Sequence, residues 1–96
     1  DRFYFEAMAD SRDFISDFSH GADKIHLKRA GFSLGASTTP TLLVDVNPTT
    51  TAPVMRYNSL TGDLMFDSNG SGSGGVTIVA TLTNLSVLTA SDLVWY

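Results

Sequence analysis

The residues best suited to chemistry are carboxylates placed around a turn early in the chain. Asp13, Asp17 and Asp23 flank the segment His20-Gly21-Ala22-Asp23, in which Gly21 can adopt the positive φ that a tight turn needs. Hard cations such as calcium bind the carboxylate and carbonyl oxygens of loops. These three residues are therefore the first candidates for a calcium site. The competing interpretation is that they cap turns and face water.

A second candidate is the segment Asp67-Ser68-Asn69-Gly70-Ser71-Gly72, which places oxygen donors at alternate positions. It resembles the start of an EF-hand loop, but that motif requires a bidentate Glu at its twelfth position. Ile78 occupies that position, so an EF-hand is excluded. A looser calcium loop that uses Asp67 and Asn69 remains open beside a plain glycine-rich connector.

Other chemistries lack their required residues. The two histidines, His20 and His26, are six positions apart and form no His-Glu-x-x-His motif, which is the zinc-protease signature. No Gly-x-Ser-x-Gly nucleophile elbow is present; the Gly70–Gly74 segment resembles one only superficially, and a strand-like run follows it where an elbow needs a helix. No lysine accompanies these glycines for phosphate binding. The chain has no cysteine. We therefore predict that it is not an enzyme.

The composition indicates a single acidic domain. The chain has 96 residues, 43% of them hydrophobic, and a formal charge of −4, which suits one small packed core. Residues 31–96 contain Arg56 as their single base. Without a basic stripe, neither nucleic acid nor an anionic membrane is an expected partner. No apolar run is long enough to span a membrane, so no transmembrane segment is predicted.

The hydrophobic pattern predicts a mainly β fold. Short alternating runs separated by turn residues favour a sandwich or a curled sheet. Within residues 13–27 we expect the start of the apolar core, formed by Phe14, Ile15, Phe18, Ile25 and Leu27.

Further elements follow from local patterns. Thr41–Val46 is predicted as a strand with Leu42, Val44 and Val46 on one face, and residues 58–62 as a hairpin loop. Residues 7–12 break the pattern as a loop or a helical turn. A helical turn capped by Thr89 is expected before the final strand.

Several of these segments together resemble the C-terminal flank of RTX (repeats-in-toxin) proteins. The similar segments are Asp1–Phe5, Asp13–Phe18, Gly21–Leu27, Arg56–Gly72, Ala80–Leu82 and Leu88–Val94. In that bacterial family, nonapeptides Gly-Gly-x-Gly-x-Asp-x-U-x form a calcium-loaded parallel β-roll, and a cap domain follows it.

The resemblance implies a domain organisation and further site residues. Residues 1–6 would be the end of the last repeat, with Asp1 at a calcium-ligand position, and residues 7–96 would be the cap of a β-roll that is missing here. His26 stands where many relatives carry an acid. The family is exported by type I secretion through an uncleaved C-terminal signal. A similar acidic-then-apolar ending is formed here by Asp92, Leu93, Val94, Trp95 and Tyr96.

The expected function is therefore non-catalytic. The chain would cap the upstream β-roll of a secreted calcium-dependent protein, carry the signal for the type I exporter, and act outside the bacterium or at its surface. The alternative is an adhesin or surface-layer module that contacts glycan or its own copies and forms a homo-oligomer. In that case exposed Trp95, Tyr57 or the loop at residues 48–53 would carry the contact.

Overall fold

The computed structural model describes residues 1–7 and 13–96, and the described part is mainly β with two sheets and no α-helix. Residues 8–12 of the predicted loop or helical turn lie outside the described residues. Eight short strands are present in the described part: β1 (Arg2–Phe5), β2 (Asp13–Ile15), β3 (Lys24–Leu27), β4 (Leu42–Val44), β5 (Val54–Asn58), β6 (Asp63–Asp67), β7 (Val76–Leu82) and β8 (Leu93–Trp95). Two 3₁₀ turns accompany them, at Arg29–Phe32 and Ala90–Asp92.

The strands divide into a three-stranded and a five-stranded sheet. The first has the order β1-β3-β8, and all its strands are parallel. The second has the order β2-β7-β6-β5-β4, in which only β5-β6 and β6-β7 are antiparallel pairs. The chain thus passes from the first sheet to the second and back again over β1, β2 and β3.

One hydrophobic core joins the two sheets. Ile25 and Leu27 of β3 are fully buried, as are Leu64 of β6 and Leu82 of β7, and all belong to a single cluster. Alternate side chains of β3, β5 and β6 enter this cluster, as the period of a strand requires. In β7 the adjacent residues Val79 and Ala80 both belong to it. The arrangement confirms the predicted mainly β fold in its sandwich form.

Phe14 does not belong to that core, contrary to the sequence prediction. Its side chain is 64% exposed, whereas Ile15 and Phe18 are buried. Because β2 has only three residues, a single side chain of the strand faces the core at its end, and Phe14 points the other way.

The predicted strand Thr41–Val46 is also shorter than expected. Asp45 adopts a left-handed backbone with φ of 59°, which ends the strand at Val44. Val44 and Val46 are exposed rather than packed with Leu42. The reason lies in the Asp45 carboxylate, which accepts hydrogen bonds from the N–H and the hydroxyl of Ser59 across the neighbouring loop.

The hairpin between β5 and β6 is confirmed. Gly62 has φ of 79°, and its N–H donates to the carbonyl of Asn58 at 2.7 Å. A Cβ at Gly62 would lie 2.1 Å from the carbonyl oxygen of Leu82, so the turn needs glycine for both reasons. Beyond the hairpin, a register shift between Leu64 and Met65 marks a bulge in the β6-β7 pair.

Candidate functional site

The candidate site is the end of the sandwich formed by β1 and β2. Each is the first strand of its sheet, and each has one strand neighbour in the described part, β3 for β1 and β7 for β2. Residues of these two strands together line a cleft of about 380 Å³. An edge strand presents backbone groups that can pair with another strand, so this end can accept further chain. The lining residues are Arg2, Phe3, Tyr4, Phe5, Asp13, Phe14 and Ile15.

The backbone of β1 shows which groups face the open side. The carbonyls of Asp1 and Phe5 accept hydrogen bonds from the N–H groups of Lys24 and Lys28. Backbone groups of alternate residues point to opposite edges of a strand in a parallel pair. The N–H and C=O groups of Arg2 and Tyr4 therefore point away from β3, toward the open edge.

The turn before β3 is fixed by Asp23. Its carboxylate accepts hydrogen bonds from the amino group of Asp1 and from the N–H of Ser19, the latter at 2.8 Å. Both contacts hold the pKa of the Asp23 carboxyl below its usual value, and the contact with the Asp1 amino group has the larger effect. Gly21 in the same turn has φ of 84°, as the sequence predicts. The turn thereby ties the start of β1 to the start of β3.

A buried acid ties the same turn to the end of the chain. Asp92 is fully buried, and its carboxylate lies 2.6 Å from Nδ1 of His20. It also accepts hydrogen bonds from the N–H groups of Thr89 and Gly21 at 3.0 and 3.1 Å. Burial alone would raise the pKa of Asp92, but the hydrogen bonds from Thr89, His20 and Gly21 outweigh it and lower that pKa.

The structure separates the first calcium candidates. Asp13 and Asp17 are exposed, whereas Asp23 is buried and bonded within its turn. Asp1 reaches Asp23 through its amino group rather than its side chain. Among residues 1–7 and 13–96, no three His, Asp or Glu side chains converge into a group that could hold a metal ion. As placed, these acids do not fit calcium as a set, and calcium binding stays a prediction.

The second calcium candidates lie in the connector after β6. Asp67 is buried, and its carboxylate contacts Arg56 at 3.4 Å and the N–H of Asn69 at 3.3 Å. The side-chain oxygen of Asn69 is buried without a hydrogen-bond partner in the described part. A neighbouring guanidinium disfavours a cation, so Asp67 serves as a counter-ion for Arg56 in this arrangement.

The predicted secretion residues form the end of the first sheet. Leu93, Val94 and Trp95 make up β8, which pairs with β3, and Asp92 ends the preceding 3₁₀ turn. That turn, with Thr89 at its N-cap, is confirmed. An export signal is recognised in the unfolded chain, so the folded structure does not test it. The secretion role of residues 92–96 stays a prediction.

The aromatic residues that the alternative function needs are placed differently than expected. Tyr57 is 2% exposed and donates its hydroxyl to the carbonyl of Ser86 at 2.6 Å. Trp95 is partly buried against the core. The exposed aromatic residues on the first sheet are instead Tyr4 and Tyr96, which the sequence analysis did not select as a pair.

Comparison with protein-family profiles, with curated proteins and with solved structures gave no match. Among the described residues, no helix is long and apolar enough to cross a membrane.

Sequence reasoning missed two features of this site. The edge position of β1 and β2 depends on parallel pairing with distant strands, for which no local residue pattern exists. The contact between His20 and Asp92 joins residues 72 positions apart. A signal for it was present only in part, because Asp92 occupies the N3 position of a turn that Thr89 caps.

Proposed function

We propose that this chain closes one end of a two-sheet parallel coil formed by preceding segments of the same polypeptide, an RTX-type β-roll. The observation that carries the proposal is the cleft between β1 and β2, which are the first strands of their sheets and are each parallel to their neighbour. A preceding coil would add one parallel strand to each sheet, beside β1 and beside β2.

The path of the chain supports this role. From β1 the chain crosses to the second sheet at β2 and returns to the first at β3. Arg2 pairs with Lys24, and this offset of 22 positions brings the chain once around the sandwich. β1, β2 and β3 therefore repeat the winding of a coil, whereas the hairpins of β5, β6 and β7 end it.

The remaining parts of the proposal rest on the resemblance to RTX proteins. The parent protein would be secreted through a type I exporter that recognises residues 92–96. Calcium would stabilise the folded array outside the cell by mass action. The chain itself would bind and cover the end of the array without catalysing a reaction.

A fusion of RTX repeats to the amino end of this chain tests the proposal. Hydrogen exchange is compared between the fused and the free chain in calcium. We expect new protection of the Arg2 and Tyr4 amides in the fused protein, because these N–H groups face the open edge. The array should also melt at a higher temperature with the chain than without it, since the cap covers its exposed end.

The variant Arg2→Pro sharpens this test, because it removes an N–H that faces the open edge and makes no bond to β3. Arg2→Ala is the matched control, since it removes the same side chain and keeps the N–H. We expect Arg2→Pro alone to lower the melting temperature of the fused array. Unchanged exchange at Arg2 and Tyr4 after fusion would refute the docking of a coil at this edge.

A calcium titration of the free chain tests whether the six predicted ligands bind calcium without the preceding array. A rise in melting temperature would place a calcium site within this chain. An unchanged melting temperature would assign the calcium dependence to the preceding array.

A further inference from the structure

The outward face of the three-stranded sheet carries an aromatic cluster. Tyr4 stacks on His26 with ring centroids 4.5 Å apart and an interplanar angle of 28°. Tyr96 meets Tyr4 edge to face at 6.1 Å. We call Tyr4, His26 and Tyr96, together with the charged side chains around them, the outer face.

Among the described residues this face stays open, although parallel sheets are usually covered on both sides. Tyr4 is 52% exposed and Tyr96 is 45% exposed. With Glu6 and His26 they line a shallow cavity of about 630 Å³. Ring faces that remain exposed beside a cavity of ligand size are typical of a binding surface.

The outer face is basic on an otherwise acidic protein. The strand period places Arg2 and Lys24 on the same side as the aromatic cluster, and Lys28 lies beside Tyr96. Glu6 is the acid that lines the cavity there. These three bases are among the five in residues 1–7 and 13–96, whereas Glu6 is one of the nine acids in the same residues. The surface is complementary to an anionic ligand.

The cluster also contains an unpaired polar atom. Nε2 of His26 is buried and has no hydrogen-bond partner among the described residues, which is uncommon for a buried polar group. The rings of Tyr4 and Tyr96 lie beside His26, with centroids 4.5 and 6.5 Å from that of the imidazole.

We propose that the outer face binds an acidic polysaccharide, a chain of pyranose rings that carry carboxylates. The apolar faces of the rings pack on Tyr4 and Tyr96, which supply large, rigid contact surfaces with polar hydroxyl tips. Arg2 and Lys28 pair with the carboxylates. A coil docked at the edge of β1 would extend this face rather than cover it, so both activities can coexist.

Two other occupants fit less well. Nucleic acid binding depends on many phosphate contacts, and the face offers three bases on a chain of charge −4. A symmetric dimer through the outer face would bring like charges together. Both are therefore outcomes that the experiment must distinguish.

The test measures binding of polygalacturonate to the full chain by affinity electrophoresis and calorimetry. A neutral cello-oligosaccharide and an oligothymidylate are compared at the same concentrations. We expect polygalacturonate to bind best, and its affinity to fall with ionic strength. Tyr4→Ala should weaken binding by about tenfold, whereas Tyr4→Phe should bind as the original chain does. Lys28→Gln should reduce both the affinity and its dependence on salt.

Leu60→Ala is the control, because Leu60 is an 85% exposed apolar residue in the hairpin loop of the other sheet. Melting curves verify that each variant is folded. No binding of polygalacturonate, or equal binding by Tyr4→Ala, would overturn the proposal. Tighter binding of the neutral sugar or of the oligothymidylate would also overturn it. A dimer in solution that the variant Lys28→Glu dissociates would overturn it as well.

Discussion

Asp92 has the most demanding environment of the acids in the described part of the chain. It is 0% exposed, and a buried carboxylate is tolerated only when charged or polar partners satisfy it. His20, Gly21 and Thr89 provide those partners. Because the first two belong to the early turn and the third to the chain end, one side chain links the two.

Replacement of Asp92 therefore tests this link. Asp92→Asn keeps the size but places an NH₂ group among three donors, so we expect a loss of about 1–3 kcal/mol in the free energy of unfolding. Urea denaturation measures it. Asp17→Asn is the control, because Asp17 is exposed, and it should change stability by less than about 0.5 kcal/mol. Equal effects of the two variants would show that the link adds nothing.

The same carboxylate predicts a direction for the acid dependence of stability. The pKa of Asp92 is lower in the folded chain than its ordinary value of about 4. Its contribution is therefore fully present above that value and is lost as pH falls through the folded pKa. We expect the urea midpoint of the original chain to decrease below about pH 4. Asp92→Asn should decrease less over that range, and an identical pH profile would contradict the assignment.

At the scale of elements, sequence patterns predicted the turns and hairpins that depend on adjacent residues. The hairpin at Gly62 and the turn capped by Thr89 each follow from a few adjacent residues. The patterns did not predict the pairing of β2 with β7 or the exposure of Phe14. Those depend on contacts between distant segments, which alternation within one strand does not encode.

A turn can require glycine because of a positive φ or because no space exists for a Cβ, and two glycines of this chain distinguish these reasons. Gly21 and Gly62 have φ of 84° and 79°. A Cβ at Gly21 would meet no atom within 4 Å, whereas one at Gly62 would lie 2.1 Å from the carbonyl oxygen of Leu82. We expect Gly21→Ala to cost about 1–2 kcal/mol from backbone strain. Gly62→Ala should cost clearly more, because the hairpin must also move away from β7.

Thermal melting of both variants measures this difference. For a domain of this size, about 1 kcal/mol corresponds to about 4–8 °C in melting temperature. Similar melting temperatures for Gly21→Ala and Gly62→Ala would mean that the hairpin shifts without cost.

At the scale of the whole molecule, aromatic contacts connect the two sheets. Trp95 of β8 packs edge to face on Phe32, with centroids 5.7 Å apart, and Phe32 packs on Phe66 of β6 at 5.2 Å. The fluorescence of Trp95, which is the one tryptophan of the chain, therefore reports on a core that both sheets share. This continuity predicts a single cooperative unfolding transition.

Truncation of one core residue in each sheet tests that continuity. Leu27→Ala in β3 and Leu64→Ala in β6 remove fully buried side chains, and each should cost about 2–5 kcal/mol. In each variant we expect the unfolding transition to move to a lower urea concentration, and Trp95 fluorescence and far-ultraviolet circular dichroism should give the same midpoint. Leu60→Ala, at a side chain that is 85% exposed, should shift neither. If Leu64→Ala moved the dichroism transition and left that of Trp95 in place, the sheets would unfold separately. The first sheet would then be held together by β1, β3 and β8 alone.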